Sequence, residues 1–158
     1  MRRLLLAMLA VLAAAFGAFV VGMRRKSPVL QDRVRRFSKN YMTPAVLPTA
    51  GRAGQSNGVV HHRGRRSGRE YSTPVTPVAI TGGFLIALPY TARVDWARNI
   101  LAAGRARVDF DGRGHEVTDP VVVPFAEVAH LLPRGSRIAA KVFALEEFLL
   151  LRTVDGES

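Results

Sequence analysis

From Leu4 to Gly22 nothing polar interrupts the chain, only Leu, Ala, Val, Phe, Met and Gly over nineteen residues. At about 1.5 Å per residue a helix of that length crosses a hydrocarbon layer of about 30 Å. The pattern then changes. Residues 29–42 are amphipathic on a helical period and predict a stalk helix, within a stretch, 27–58, that Pro28, Pro44, Pro48 and several glycines mark as linker. Two β-rich runs, 75–80 and 84–88, flank Thr81, Gly82 and Gly83, whose glycines permit the positive φ of a tight hairpin. Pro77 removes one ladder donor and assigns the first run to an edge or a bulge. Residues 95–103 read as a short helix, with Asp95 at its positive end, Trp96, Ile100 and Leu101 at helical spacing, and Gly104 as the stop. A second hairpin joins 107–110 to 115–123 through Asp111 and Gly112, and Pro124 closes it. Residues 125–132 and 137–145 predict two further amphipathic helices, and 147–154 a strand or a helix end. Short antiparallel strands with small helices predict a barrel-like α+β domain over 59–154, behind an N-terminal segment over 1–26 and the linker.

Length and charge sharpen this. With 158 residues, 48% apolar, there is room for one modest domain and an appendage, not for a two-domain enzyme. The net charge of +11 sits at the front: residues 1–36 carry eight Arg or Lys against one Asp, and residues 37–69 carry six against none. A nucleic-acid-binding domain spreads such charge over a folded face and interleaves it with aromatics. Here it flanks the apolar run and fills one loop, which argues for a membrane surface and a bound anion and against nucleic acid. Arg24, Arg25 and Lys26 make the heavier cluster on the carboxyl side of the apolar run, so the positive-inside rule predicts a single-pass anchor with the domain facing the cytoplasm. The competing reading is export after cleavage of a signal peptide near Ala13 to Ala15 or at Ala18. The absence of cysteine excludes disulfides, thiolate metal sites, iron–sulfur clusters and a cysteine nucleophile.

The densest chemical signal is residues 61–69, His-His-Arg-Gly-Arg-Arg-Ser-Gly-Arg. Such a loop offers backbone N–H groups, a hydroxyl and guanidinium forks to a phosphate or carboxylate, and its competitor is a solvated basic turn. It is not a P-loop, and Gly112 and Gly114 lack the third glycine of a dinucleotide fingerprint. Adjacent His61 and His62 in a strand point to opposite faces, without a further ligand at metal spacing, so no metal site is assigned. No Gly-x-Ser-x-Gly elbow or His-Glu-x-x-His is present. Glu146 and Glu147 read as a solvated helix edge. Trp96, Asn99 and Tyr90 read either as the lining of a planar-ligand site or, for the tryptophan, as core.

In their order, Gly64-Arg65-Arg66-Ser67-Gly68-Arg69, then Thr73-Pro74-Val75, then Ile86-Ala87-Leu88, then Asp95-Trp96-x-Arg98-Asn99-Ile100-Leu101-Ala102-Ala103-Gly104 resemble the deazaflavin-dependent nitroreductase family of actinobacterial oxidoreductases. The resemblance spans about residues 59–123, with a weaker echo at 146–151. It implies a split β-barrel that binds reduced coenzyme F420 and passes a hydride to a quinone, a nitro compound or a similar acceptor. By that resemblance Arg65, Arg66 and Ser67, with Gly68 and Arg69, meet the phosphate and polyglutamate tail. Tyr71, Ser72, Thr73, Pro74, Val75 and Thr76 form the strand beside the cofactor. Ala87, Leu88, Pro89 and Tyr90 pass along the ring, and Asp95, Trp96, Ala97, Arg98 and Asn99 close the site. Pro89 and Tyr90 stand where many relatives have small or polar residues. Because the cofactor supplies the hydride, no side-chain nucleophile is needed, and Tyr90 and Tyr71 are the candidate proton donors. Alternatives are flavin mononucleotide (FMN) in the same barrel, or a non-catalytic cofactor-binding module at the membrane. Barrels of this kind also raise the expectation of a homodimer that completes the pocket.

Overall fold

The computed structural model describes residues 2–25, 43–89 and 92–154, so the stalk helix expected over 29–42 lies outside the described residues. Helix α1, Arg2–Arg24, contains the apolar stretch, and none of that stretch is buried. After a four-residue helix, α2 (Thr43–Val46), come strands β1 (Gly58–Arg63), β2 (Glu70–Val75), β3 (Pro77–Ile80) and β4 (Gly83–Ala87). Helix α3 (Asp95–Ala103) leads into β5 (Arg105–Phe110) and β6 (Arg113–Pro124). The chain ends with α4 (Phe125–Val128), a 3-10 turn (Ala129–Leu131), α5 (Arg134–Val142) and β7 (Glu147–Thr153).

The seven strands form one antiparallel sheet in the order β2-β1-β5-β6-β7-β4-β3, curled into the split barrel and open between its outer strands β2 and β3. Two turns set its register. Asp111 and Gly112 both take positive φ, 49° and 77°, so the β5–β6 turn twists with its strands. Gly82, at φ 75°, does the same for β3–β4. In β6 the pairing with β7 shifts between Thr118 and Val121, and Asp119 sits at φ 50°; this bulge bends the longest strand from its β5 half to its β7 half.

Alternation along β4 and β7 divides the core in two. Phe84, Ile86, Leu149 and Leu151 face one side, where Ala97 and Ile100 of α3 cover them with Val60, Val108 and Val117. Leu85 and Phe148 face the other, under Val128, Leu132 and Ala140. A strand covered on both faces is apolar without interruption, as Phe84-Leu85-Ile86 is.

Helix 95–103 and both hairpins agree with their expected positions, and Pro77 opens an edge strand. Four expectations need correction. Thr76 interrupts the run 75–80, so Val75 ends β2 and Pro77 begins β3. The helix expected over 125–132 is instead α4 followed by the 3-10 turn, and it stops at Leu132, which precedes Pro133 and is driven to ψ 140°. The next helix begins at Arg134, directly after an extended Pro133, and Ala144 at φ 50° lies past its end. Finally, Glu147 opens β7, and its carboxylate accepts the Ala92 N–H at 2.8 Å instead of lying on a helix edge.

Candidate functional site

Strands β1 and β2 pair in full register, His62 opposite Tyr71 and Arg63 opposite Glu70, so residues 64–69 form the loop of a hairpin at one end of the barrel. The loop is closed by the Gly64 N–H donating to the Arg69 carbonyl and the Gly68 N–H to the Gly64 carbonyl, both at 2.8 Å. Ser67 ties it from within: its Oγ accepts the Arg69 N–H at 3.3 Å and pairs with the Tyr71 hydroxyl, also at 3.3 Å. Position 64 has no space for a side chain, since a Cβ there would lie 2.5 Å from Ser67 Oγ and 2.8 Å from the Tyr71 ring.

Beneath the loop is a polar core built across three elements. His62 is 8% exposed and Asn99, from α3, is 6% exposed. Asn99 Oδ1 accepts both the Arg65 backbone N–H, at 3.2 Å, and the Arg65 guanidinium, at 2.9 Å. Arg65 has only donors, so the amide oxygen must face it and Nδ2 must face His62 Nδ1, 3.2 Å away. His62 Nδ1 is therefore the acceptor, the ring proton is on Nε2, and Nε2 donates to Thr73 Oγ1 at 3.1 Å. Burial lowers the His62 pKa below its ordinary value of 6.5 and the neighbouring His61 lowers it further, in keeping with a neutral ring. The Tyr71 ring stacks on that imidazole, 5.7 Å between centroids and 19° between planes.

The structure thus divides the arginines. Arg65 is turned inward, its guanidinium held by Asn99 and, at 3.0 Å, by Asp95 at the first turn of α3. The guanidinium groups of Arg66, Arg69 and Arg98 are exposed and have no partner among the described residues. The sequence-derived set is brought together only in part. Tyr71, Thr73 and Asn99 meet His62, and Arg65 joins through Asn99, Asp95 through Arg65 and Ser67 through Tyr71; the sequence places His62 in the basic run without giving it this role. Half-buried Trp96 and Val75 pack on the α3-side core, where Ala97 and Leu88 are buried. Ala87 faces the opposite core, and the Leu88 N–H is spent on the Glu147 carbonyl at 3.0 Å. Pro74 is half-buried in β2, Pro89 is exposed, and Thr76 donates to Asn57 at 3.2 Å, away from the network. Tyr90 lies outside the described residues.

No family model matches the chain, and no curated protein matches it. Among solved structures it is similar to the Atu2129 protein of unknown function from Agrobacterium tumefaciens, at 15% identity and TM-score 0.49 over 63% of this chain. The chain spans about half, 49%, of that protein's length. An F420 reductase overlaps at 15% identity and TM-score 0.46, over 63% of this chain and 86% of its own. A protein described as a domain-swapped dimer overlaps at 14% identity and TM-score 0.47, over 80% of this chain and all of its own.

Two further features border the network without joining it. On the other face of β1, His61 bridges Ser72, at 3.0 Å, and Asp109, at 2.8 Å. Burial raises the Asp109 pKa, but hydrogen bonds from Arg107 and His61 outweigh it and hold the carboxyl below its usual range. With His61 and Asp109 side chains 40% and 33% exposed, this Ser–His–Asp chain has no enclosed volume from which water is excluded, and it serves to tie β2, β1 and β5 together. An open groove of about 480 Å³, lined by Ile80, Phe84, Phe110, Arg113, His115 and Thr153 among others, runs between the β3–β4 and β5–β6 hairpins and contains none of the expected site residues.

Proposed function

We propose that this chain is a membrane-anchored oxidoreductase, facing the cytoplasm, that binds the deazaflavin coenzyme F420 and reduces a quinone, a nitro compound or a similar conjugated acceptor. The observation that carries this reading is the division of labour in the arginine loop: Arg65 is spent on fixing the loop to Asn99 and Asp95, which leaves Arg66 and Arg69 beside it with guanidinium forks that have no partner among the described residues. A loop held that rigidly with two free cations suits a multiply anionic tail, and the donor set fits one: forked cations, a serine hydroxyl and no carboxylate within residues 59–69. Arg98, exposed on α3, adds a third cation without a partner among the described residues, on the adjoining element.

The contacts support a role for each residue. Arg66, Arg69 and Ser67 would hold the phosphate and tail. Arg65 and Asn99 are positioning residues that act through the loop backbone. Tyr71, stacked on a neutral imidazole with its hydroxyl against Ser67, would give up a proton that Ser67 Oγ can help replace. Tyr90 remains the second candidate donor. A reduced deazaflavin held there would supply the hydride, leaving oxidised cofactor, and the proton that completes the acceptor's two-electron reduction would come from one of these tyrosines. The anchor would hold the domain beside lipid, which favours a lipid-soluble acceptor. A homodimer completing the pocket belongs to the same proposal.

The test is a fluorescence titration of the full chain in detergent with F420, F420 lacking its glutamate tail, and FMN. Tight, tail-dependent binding of F420 is expected, and Arg66→Ala with Arg69→Ala should weaken it at least tenfold, since each charge-assisted contact contributes about 1.5 to 3 kcal/mol. Preference for FMN would replace the cofactor assignment. Binding without reduction of any acceptor would make the chain a cofactor-holding module, and unchanged affinity in the double variant would refute the loop's role.

A further inference from the structure

The membrane reading gains a second contact from the far side of the barrel. Arg24, the last residue of α1, donates from its guanidinium to the carbonyls of Lys141 at 2.8 Å and Val142 at 3.3 Å, and the Phe19 ring meets Phe143 edge-on at 6.4 Å. The end of the apolar span is therefore fastened to the C-terminal end of α5. That helix is amphipathic in an unusual sense. Its buried side is Ala140, with half-buried Ser136 one turn before it. Its outward side carries Arg134, Arg137 and Lys141 along one flank and Ile138 and Val142, 55% and 37% exposed, along the other. Leu131, just before it, is 43% exposed. Residues 128–145 contain no carboxylate.

Apolar side chains beside a row of cations, at the point where a membrane span leaves the bilayer, are what a helix lying in the headgroup layer needs. The leucine, isoleucine and valine sink to the acyl boundary and the cations meet lipid phosphates. We propose that α5 is an interfacial helix that docks on the anionic leaflet from which α1 emerges, giving the domain a second attachment and a fixed tilt. This rests on α1 being a retained anchor. Because α5 and α3 cover opposite sides of β4 and β7, docking through α5 sets the outer surface of α3 away from the bilayer.

The chain's lack of cysteine makes the test direct. Full-length Ile138→Cys and Val142→Cys, each labelled with an environment-sensitive fluorophore, are reconstituted into vesicles of phosphatidylglycerol and phosphatidylcholine or of phosphatidylcholine alone, with lipid-borne quenchers. Ala102→Cys, exposed on α3, is the control. Strong shallow-depth quenching at 138 and 142 in the anionic vesicles, little at 102, and several-fold less quenching in neutral vesicles or in the Arg134→Gln, Arg137→Gln, Lys141→Gln background are expected, each cation near an anionic surface being worth about fivefold in partitioning. No quenching at 138 and 142 in a chain that stays with vesicles after alkaline extraction would overturn the interfacial helix while leaving the anchor intact. Loss of the chain on extraction would overturn the anchor itself. Oxidative cross-linking of the unlabelled Ile138→Cys chain in detergent would assign the surface to a second copy of the chain and would also overturn the proposal.

Discussion

Replacing Asn99 by Ala removes one amide and strands three groups. His62 Nδ1 loses its donor, and Arg65 loses acceptors for its backbone N–H and its guanidinium. A buried group left unpaired costs about 1 to 3 kcal/mol, and the full cost applies to His62 Nδ1. The Arg65 side chain is 20% exposed and keeps Asp95, so its loss is discounted. The sum is about 2 to 4 kcal/mol. For a domain of this size that lowers the thermal midpoint by about 10 °C or more. Thermal and urea unfolding of the full chain in detergent measure it. Two companions make the reasoning specific. Asn99→Asp retains an acceptor for Arg65 but faces His62 with a second acceptor, so its penalty should shrink as the pH falls and the imidazole takes a proton to donate. Arg65→Ala combined with Asn99→Ala should cost less than the two losses added, by about 1 kcal/mol or more. An Asn99→Ala chain within about 0.5 kcal/mol of the parent, or an Asn99→Asp penalty indifferent to pH, would refute the network as the support of the loop.

Other outcomes follow from single contacts. His62 is depressed below 6.5 in the fold, so between that depressed value and pH 6.5 the unfolded chain binds more protons; stability should be full above that range and fall as the pH drops through it, and His62→Gln should flatten the trend in urea midpoints. Gly83→Ala would set a Cβ against the Leu151 backbone carbonyl of the adjoining strand, which cannot move without breaking the β4–β7 ladder; a loss of about 3 kcal/mol or more is expected in urea unfolding. Gly64→Ala should instead shift Ser67 and Tyr71, weakening cofactor binding more than stability, as titration beside unfolding would show.

Local chemistry makes much of the fold legible. Asp111-Gly112 and Gly82 announce their hairpins because glycine takes the required positive φ without strain and aspartate tolerates it, and Gly104, at φ 71°, stops α3 for the same reason. The apolar run of α1 is legible by length. The end of helix 125–132 is signalled by Pro133, which keeps Leu132 out of the helical region, and the break in strand 75–80 by Pro77, which has no ladder N–H to give. The polar network is not legible as such. Arg65 and Asn99 are both candidates, but as ligand contacts; that they hold each other depends on how α3 packs over β1, a separation of 34 residues. His62 becomes its hub through the burial of one face of β1, and alternation indicates only that the two histidines part company, not which of them goes inside.

The two strands at the split in the barrel each carry a proline: Pro74 within β2 and Pro77 at the start of β3. A proline has no amide proton to offer an incoming strand, so neither free edge can be extended along its whole length by another polypeptide. That would matter more if the chain is tethered to a surface, as proposed, than if it is free in solution. Confinement to two dimensions crowds neighbours together, and an open sheet edge would then be a nucleus for strand-by-strand polymerisation. The split can stay open because its rims are poor templates.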